Sequence, residues 1–118
     1  MSSTVFGVAF DAQDAQTLAS FWAAALGRTV VDGASGDNAA ISADPAIPGS
    51  RISFHRVPEG KAVKNRVHLD LITTDFDAEV ERLIGLGATK LNEVKKDTVA
   101  HWATLADPEG NEFDVIDG

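Results

Sequence analysis

Three histidines, two tryptophans and an excess of carboxylates are the chemically capable side chains of this chain. His68 and Asp70 stand two residues apart in RVHLDLIT, a stretch that alternates polar and apolar residues. Such alternation reads as a strand, and residues two apart on a strand point the same way. The pair could act as an acid–base couple, the carboxylate fixing the imidazole's tautomer. The bland reading is a polar, hydrogen-bonded pair in the wall of a cleft. Arg66 shares the parity of His68 and joins that face. Trp102, in VAHWATLA, could stack on a planar ligand, or pack in a core or dimer interface. His101 has the opposite parity and reads as an ordinary surface or edge histidine. Half of the ten basic residues lie within residues 51–66: Arg51, Arg56, Lys61, Lys64 and Arg66. That strip could draw an anionic ligand, whereas for Lys61 and Lys64 a solvated linker is the simpler reading.

The elements that must position these groups repeat. Residues 5–10 read as a strand with Phe6, Val8 and Phe10 on one face. Leu18, Phe21, Trp22, Ala25 and Leu26 then recur at helical spacing, with Asp11 or Asp14 to cap the start and Gly27 to end it. Strand candidates follow at 28–32, 39–43 and 51–57. The pattern restarts at 66–73, where Val67, Leu69 and Leu71 share a face. Thr74 to Asp77 resembles a capping box, opening a helix with Phe76, Val80, Leu83 and Ile84 on one side. Strand candidates at 89–94, 99–106 and 111–117 close the chain.

Each half therefore reads strand, helix, three strands, and the helix-ending Leu-Gly pairs at 26–27 and 86–87 are 60 residues apart. A ferredoxin-like sandwich is the alternative, but the 38 residues between Gly27 and Arg66 favour three strands. The expected organisation is one domain over 1–118: module one at 1–57, a joint at 58–65 and module two at 66–118. Two such modules would form a curved antiparallel sheet with helices outside and a cleft inside. Phe6, Val8, Phe10, Val67, Leu69, Leu71, Phe113 and Val115 would lie under the helices. Gly7, Ala9, Arg66, His68, Asp70, Glu112 and Asp114 would face the cleft.

Composition narrows the chemistry. The 118 residues carry 10 Lys+Arg against 18 Asp+Glu, a net charge of −8, which argues against a nucleic-acid partner. With no cysteine, a disulfide, a thiolate metal site and a cysteine nucleophile are excluded. The start MSSTVF lacks the basic segment of a signal peptide, and no apolar run approaches the roughly 18 residues of a membrane span. The expectation is a cytoplasmic protein with no membrane partner.

Three strings in order carry a resemblance: LASFWAAALGR at 18–28, KAVKNRVHLDL at 61–71 and DPEGNEFDVI at 107–116. Together with the paired pattern they resemble the vicinal oxygen chelate superfamily, in particular its small glyoxalase- and bleomycin-resistance-like members. The resemblance implies an α+β fold of two βαβββ modules, a homodimer, and a small molecule in the cleft, often with a divalent metal. It places Gly7, which has no side chain, at the first ligand position and His68 at that of the second-module histidine. The closing carboxylate falls on Asp114 rather than Glu112, one methylene shorter than the usual glutamate. If Ile52 and Phe54 point inward, His55 could supply a further ligand. His55, His68 and Asp114 would suit Zn, Fe or Mn with open positions, but the set looks incomplete and the cofactor stays open. The implied function is small-molecule binding by a lyase, isomerase or dioxygenase relative with a degenerate metal site. The alternative is a non-catalytic drug or metabolite binder. His55, Arg66, Trp102 and Asp114 are the expected cleft residues, and His68 with Asp70 the expected catalytic pair.

Overall fold

Helix α1 (Ala15–Leu26) forms where the apolar spacing predicts it. The Asp14 carboxylate accepts the Thr17 backbone N–H at 3.1 Å, satisfying one of the donors a helix start leaves free. Gly27 ends the helix in the left-handed conformation (φ 65°) that a side chain disfavours. Leu18, Phe21 and Trp22 are buried against the sheet. Full burial of a side chain such as Leu18 or Phe21 is worth roughly 1.5–3 kcal/mol. Helix α2 (Phe76–Leu86) buries Phe76, Val80 and Leu83, while Ile84 stays 37% exposed. The expected capping box is not formed. Asp75 is the capping residue and makes no side-chain cap bond; its N–H donates instead to Thr73 Oγ1.

The computed structural model describes residues 2–96 and 100–118. It divides into two compact units, Met1–Gly60 and Lys61–Gly118. The first contains β1 (Gly7–Ala12), α1, β2 (Asn38–Ile41) and β3 (Arg51–Arg56). The second contains β4 (Asp70–Thr73), α2, β5 (Thr89–Lys96), β6 (Ala100–Ala106) and β7 (Glu112–Asp117). The fold is α+β, and the strand–helix–strands sequence occurs in both units, as expected. The expected beginning, at Val99, of the strand observed as β6 lies outside the described residues. Among the described residues no helix is long and apolar enough to cross a membrane.

Both sheets are mixed rather than wholly antiparallel. Their orders are β1-β3-β2 and β4-β7-β6-β5, with β1 parallel to β3 and β4 parallel to β7. The direction follows from counting reversals: the helix returns the chain, and each of the next three extended segments reverses it again. The last segment must then run with the first. In the first unit the earliest of those three segments shrinks to one bridge, Val30 to Ile41, flanked by Val31 N–H to Ala40 O and Ser42 N–H to Thr29 O. The full strand expected at 28–32 is thus only a bridge, and the spatial order of the two sheets still agrees.

Burial corrects part of the expected parity. Phe113, Val115, Leu105 and Ala103 are fully buried in the second unit, as are Ile41 and Phe54 in the first, where Ile52 is also buried. Phe6 is 76% exposed, with the Arg51 guanidinium 5.5 Å from its ring, and Val67 is 77% exposed. Both precede the paired segments: β1 begins at Gly7 and β4 only at Asp70. With no neighbouring strand to fix them, their alternation has no face to follow.

Candidate functional site

The second unit's sheet aligns two rows of side chains across its strands. Asp70 is level with Asp114, Asp114 with Thr104, and Thr104 with Asn92. Two residues further along, Ile72, Ile116, Trp102 and Val94 form the next row. The first row is polar and the second apolar. Phe113 and Val115 point the other way, into the core. Alternation thus sends Asp114 to the face opposite the one that buries its neighbours.

The polar row opens on a pocket of about 300 Å³. Lys64, His68, Thr104, Glu112 and Asp114 line it, and Leu91 and Asn92 form its β5 wall. A register shift between Lys90 and Asn92 inserts Leu91 as an extra residue at that wall. His68 lies just before β4, and its Nδ1 is 3.0 Å from Asp70 Oδ1. Thr104 Oγ1 donates to Asp114 Oδ1 at 2.7 Å, while the Asp114 backbone N–H donates to Leu69 O at 3.0 Å.

Glu112 ties down the segment that leads into the site. Its carboxylate accepts the Asn65 backbone N–H at 3.0 Å and the Lys61 ammonium at 3.2 Å. The Asn65 N–H and then Lys61 hold the Glu112 carboxyl below its ordinary value, against the opposing effect of burial. This strap explains why β4 starts late: Asn65 and Lys61 meet Glu112 where a longer β4 would run beside β7.

The expected site residues are divided between the two units. His68, Asp70 and Asp114 come together, each presenting one ligand atom, all within 4.8 Å of one another. One imidazole nitrogen and two carboxylate oxygens at that spacing fit a divalent cation of the Zn, Fe or Mn kind. His55 lies on β3 of the first unit, exposed, with Nδ1 2.9 Å from Asn38 Oδ1. Gly7 sits in β1 where a Cβ would collide with the Arg51 carbonyl oxygen, so the close approach of β3 excludes a larger residue. Arg66 is exposed and lies before β4, outside the paired parity that was to align it with His68. Trp102 belongs to the apolar row, with Lys96 Nζ 5.9 Å from its ring centre. Sequence reading missed Asn92, Leu91 and Thr104. The parity of Trp102 within β6 could have found Thr104, whereas the β5 shift leaves no mark in a hydropathy pattern.

A sequence profile for a glyoxalase-like domain matches residues 7–116. No individual curated protein gives a significant match. Among solved structures, a glyoxalase/bleomycin resistance protein/dioxygenase family enzyme from Burkholderia phytofirmans superposes with a TM-score of 0.76. It is 19% identical, over 97% of this chain and 98% of that one. The fosfomycin resistance protein FosX from Listeria monocytogenes, solved with Mn(II) and a dihydroxypropylphosphonic acid, gives 0.77 at 14% identity, over 100% and 92%. A lactoylglutathione lyase from Agrobacterium tumefaciens gives 0.67 at 16% identity, over 98% and 93%. At these identities the likeness shows a shared fold.

Proposed function

Because this chain belongs to the glyoxalase-like family, we propose that it binds a small polar organic molecule in the His68 pocket and moves one of its protons there. The observation that carries this reading is the 3.0 Å contact between His68 Nδ1 and Asp70 at the edge of that pocket. An ionised carboxylate only accepts, so the Nδ1 proton is held on Asp70 and Nε2 keeps the free lone pair. Nε2 is then the atom that takes a proton from a bound molecule, as a carbon acid beside a carbonyl would offer. The Lys64 ammonium at the pocket edge suits an anionic group on that molecule. Thr104, by donating to one Asp114 oxygen, leaves the other oxygen to the ligand.

Where His68, Asp70 and Asp114 instead hold a divalent cation, the His68 lone pair goes to that cation, which would supply Lewis acidity to a substrate oxygen in place of the imidazole base. The neighbours' names are consistent with such chemistry: one is a lyase, and one was solved with Mn(II). On the same footing we assign the two units to one functional domain, the active form to a homodimer and its place of action to the cytoplasm.

The test is thermal-shift screening of small carbonyl and hydroxy-acid compounds, with and without Zn, Fe(II) or Mn, on the wild type and on His68→Ala. A true ligand raises the melting temperature by mass action. The reading requires at least one compound to do so in the wild type and not in His68→Ala. It fails if none does, or if the two respond alike.

A second reading, a binder that sequesters its ligand unchanged, draws its support from Gly7. At that position β1 offers no side chain, and the Arg51 carbonyl leaves no room for one. Turnover of a bound compound rules it out; saturable binding without turnover rules out the first.

A further inference from the structure

We propose that His101 is a proton-operated clamp: while both ring nitrogens carry hydrogen, it ties β5 to β7 across β6 and so steadies the β5 wall of the second unit's pocket. His101 Nε2 is 2.8 Å from Glu93 Oε2 on β5, and Nδ1 is 3.0 Å from Asp117 Oδ2 on β7. Two carboxylates can both be satisfied only by an imidazolium, since each ionised oxygen accepts and neither donates. Loss of one ring proton replaces a charge-assisted bond by two facing lone pairs. The Phe76 ring, at the start of α2, covers the imidazole with centroids 3.9 Å apart. The side chain is 17% exposed.

The position gives the clamp its consequence. Among the described residues β5 is the edge strand of its sheet and pairs with β6 alone, so Glu93–His101–Asp117 reaches past β6 to β7, which is not a pairing partner of β5. Glu93 follows Asn92 directly, and Asn92 with Leu91 forms the pocket wall. The clamp therefore grips the strand at the register shift, where its ladder is interrupted and its own hold is weakest. The charged groups around the ring are Glu93, its ion-pair partner Lys90, Asp117, and Lys95 opposite His101 in the register. α2 contributes the Phe76 ring, flanked in sequence by Asp75 and Asp77.

The hydrogen bonds to Glu93, then to Asp117, raise the His101 pKa above its ordinary 6.5. A group whose folded value is raised contributes stability that is full below its unfolded value and lost as pH rises through the folded one.

The experiment is amide hydrogen exchange on the full chain without ligand, at about pH 6 and about pH 9, corrected for intrinsic rates, with the His101 ring titrated by NMR. The expected result is a His101 midpoint above 6.5. Several-fold weaker protection of β5 at the higher pH is also expected, with β1 and β3 unchanged. His101→Gln should abolish that pH dependence; if this variant does not fold, Glu93→Gln, which removes one of the two charges, should lower the midpoint. The proposal is overturned by a midpoint at or below 6.5, by β5 protection that does not change or changes in step with β1 and β3, or by a dependence that persists in His101→Gln. Since no ligand is present, these outcomes are separate from those that decide the pocket's function.

Discussion

Asp70 stands between two roles, and a single atom exchange separates them. Asp70→Asn keeps the shape of the side chain but removes the charge that holds the Nδ1 proton of His68. The amide can present either its oxygen or its NH₂, so the ring is no longer confined to one tautomer. Partners that orient a ligating or proton-moving histidine are worth about 10–100-fold in affinity or activity. Asp70→Asn is therefore expected to weaken ligand or cation binding by about tenfold or more, read by isothermal titration. Its melting temperature should move little, because Asp70 is 53% exposed and a half-exposed polar pair contributes little to stability. Unchanged affinity would remove Asp70 from the site. Gly7 poses the opposite case, where the backbone rather than the side chain decides. Gly7→Ala places a methyl against the Arg51 carbonyl. Overpacking of this kind costs about 1–3 kcal/mol, expected as a lower midpoint in urea unfolding. A midpoint equal to the wild type's would mean that β3 can retreat and that Gly7 reflects something other than space.

The elements show which sequence signals carried through. The two helices were legible because their apolar spacing and Leu-Gly endings are local signals, and Trp22 is buried as its position on the first helix predicts. Strand existence was legible too, but face was legible only where a partner strand fixes it. Phe113 and Val115, paired on β7, went to the core as alternation requires. Val67, in an equally alternating stretch, did not, because the Glu112 strap ends the pairing before reaching it. His68 and Asp70 nevertheless met, since two residues of near-extended chain keep their side chains within reach of each other. The sequence reading grouped His55 with His68 and Asp114; within the second unit Asp70 joins Asp114, a consequence of the β4–β7 register that one strand's sequence does not contain. The helix starts give a prediction at this scale. Asp14 caps α1 through its side chain and Asp75 makes no such bond at α2. Asp14→Ala should cost about 1 kcal/mol, and Asp75→Ala distinctly less, in matched denaturant titrations. Equal losses would mean that charge near the helix start, rather than the Thr17 bond, is what stabilises α1.

At the scale of the whole molecule, the net charge of −8 conceals an uneven set of titrations. Among the described residues three carboxyls are held below their ordinary values: Glu79 by Arg82, Glu93 by Lys90 and then His101, and Glu112 by the Asn65 N–H and then Lys61. Each contributes stability that is present above its unfolded value, near 4.5, and lost as pH falls through the folded one. His101 has the opposite sign. Its contribution is complete below 6.5 and disappears as pH rises through the raised folded value. The acid limb is thus supported by groups spread over α2, β5 and β7, whereas His101 on β6 supports the near-neutral alkaline limb. The melting temperature against pH should therefore be a dome, with its top between about 4.5 and 6.5. His101→Gln should flatten its alkaline side while leaving the acid side largely in place. Glu112→Gln should do the reverse, softening the acid side alone. A common displacement of both sides in either variant would show that general packing, and not the named ion pairs, shapes the curve.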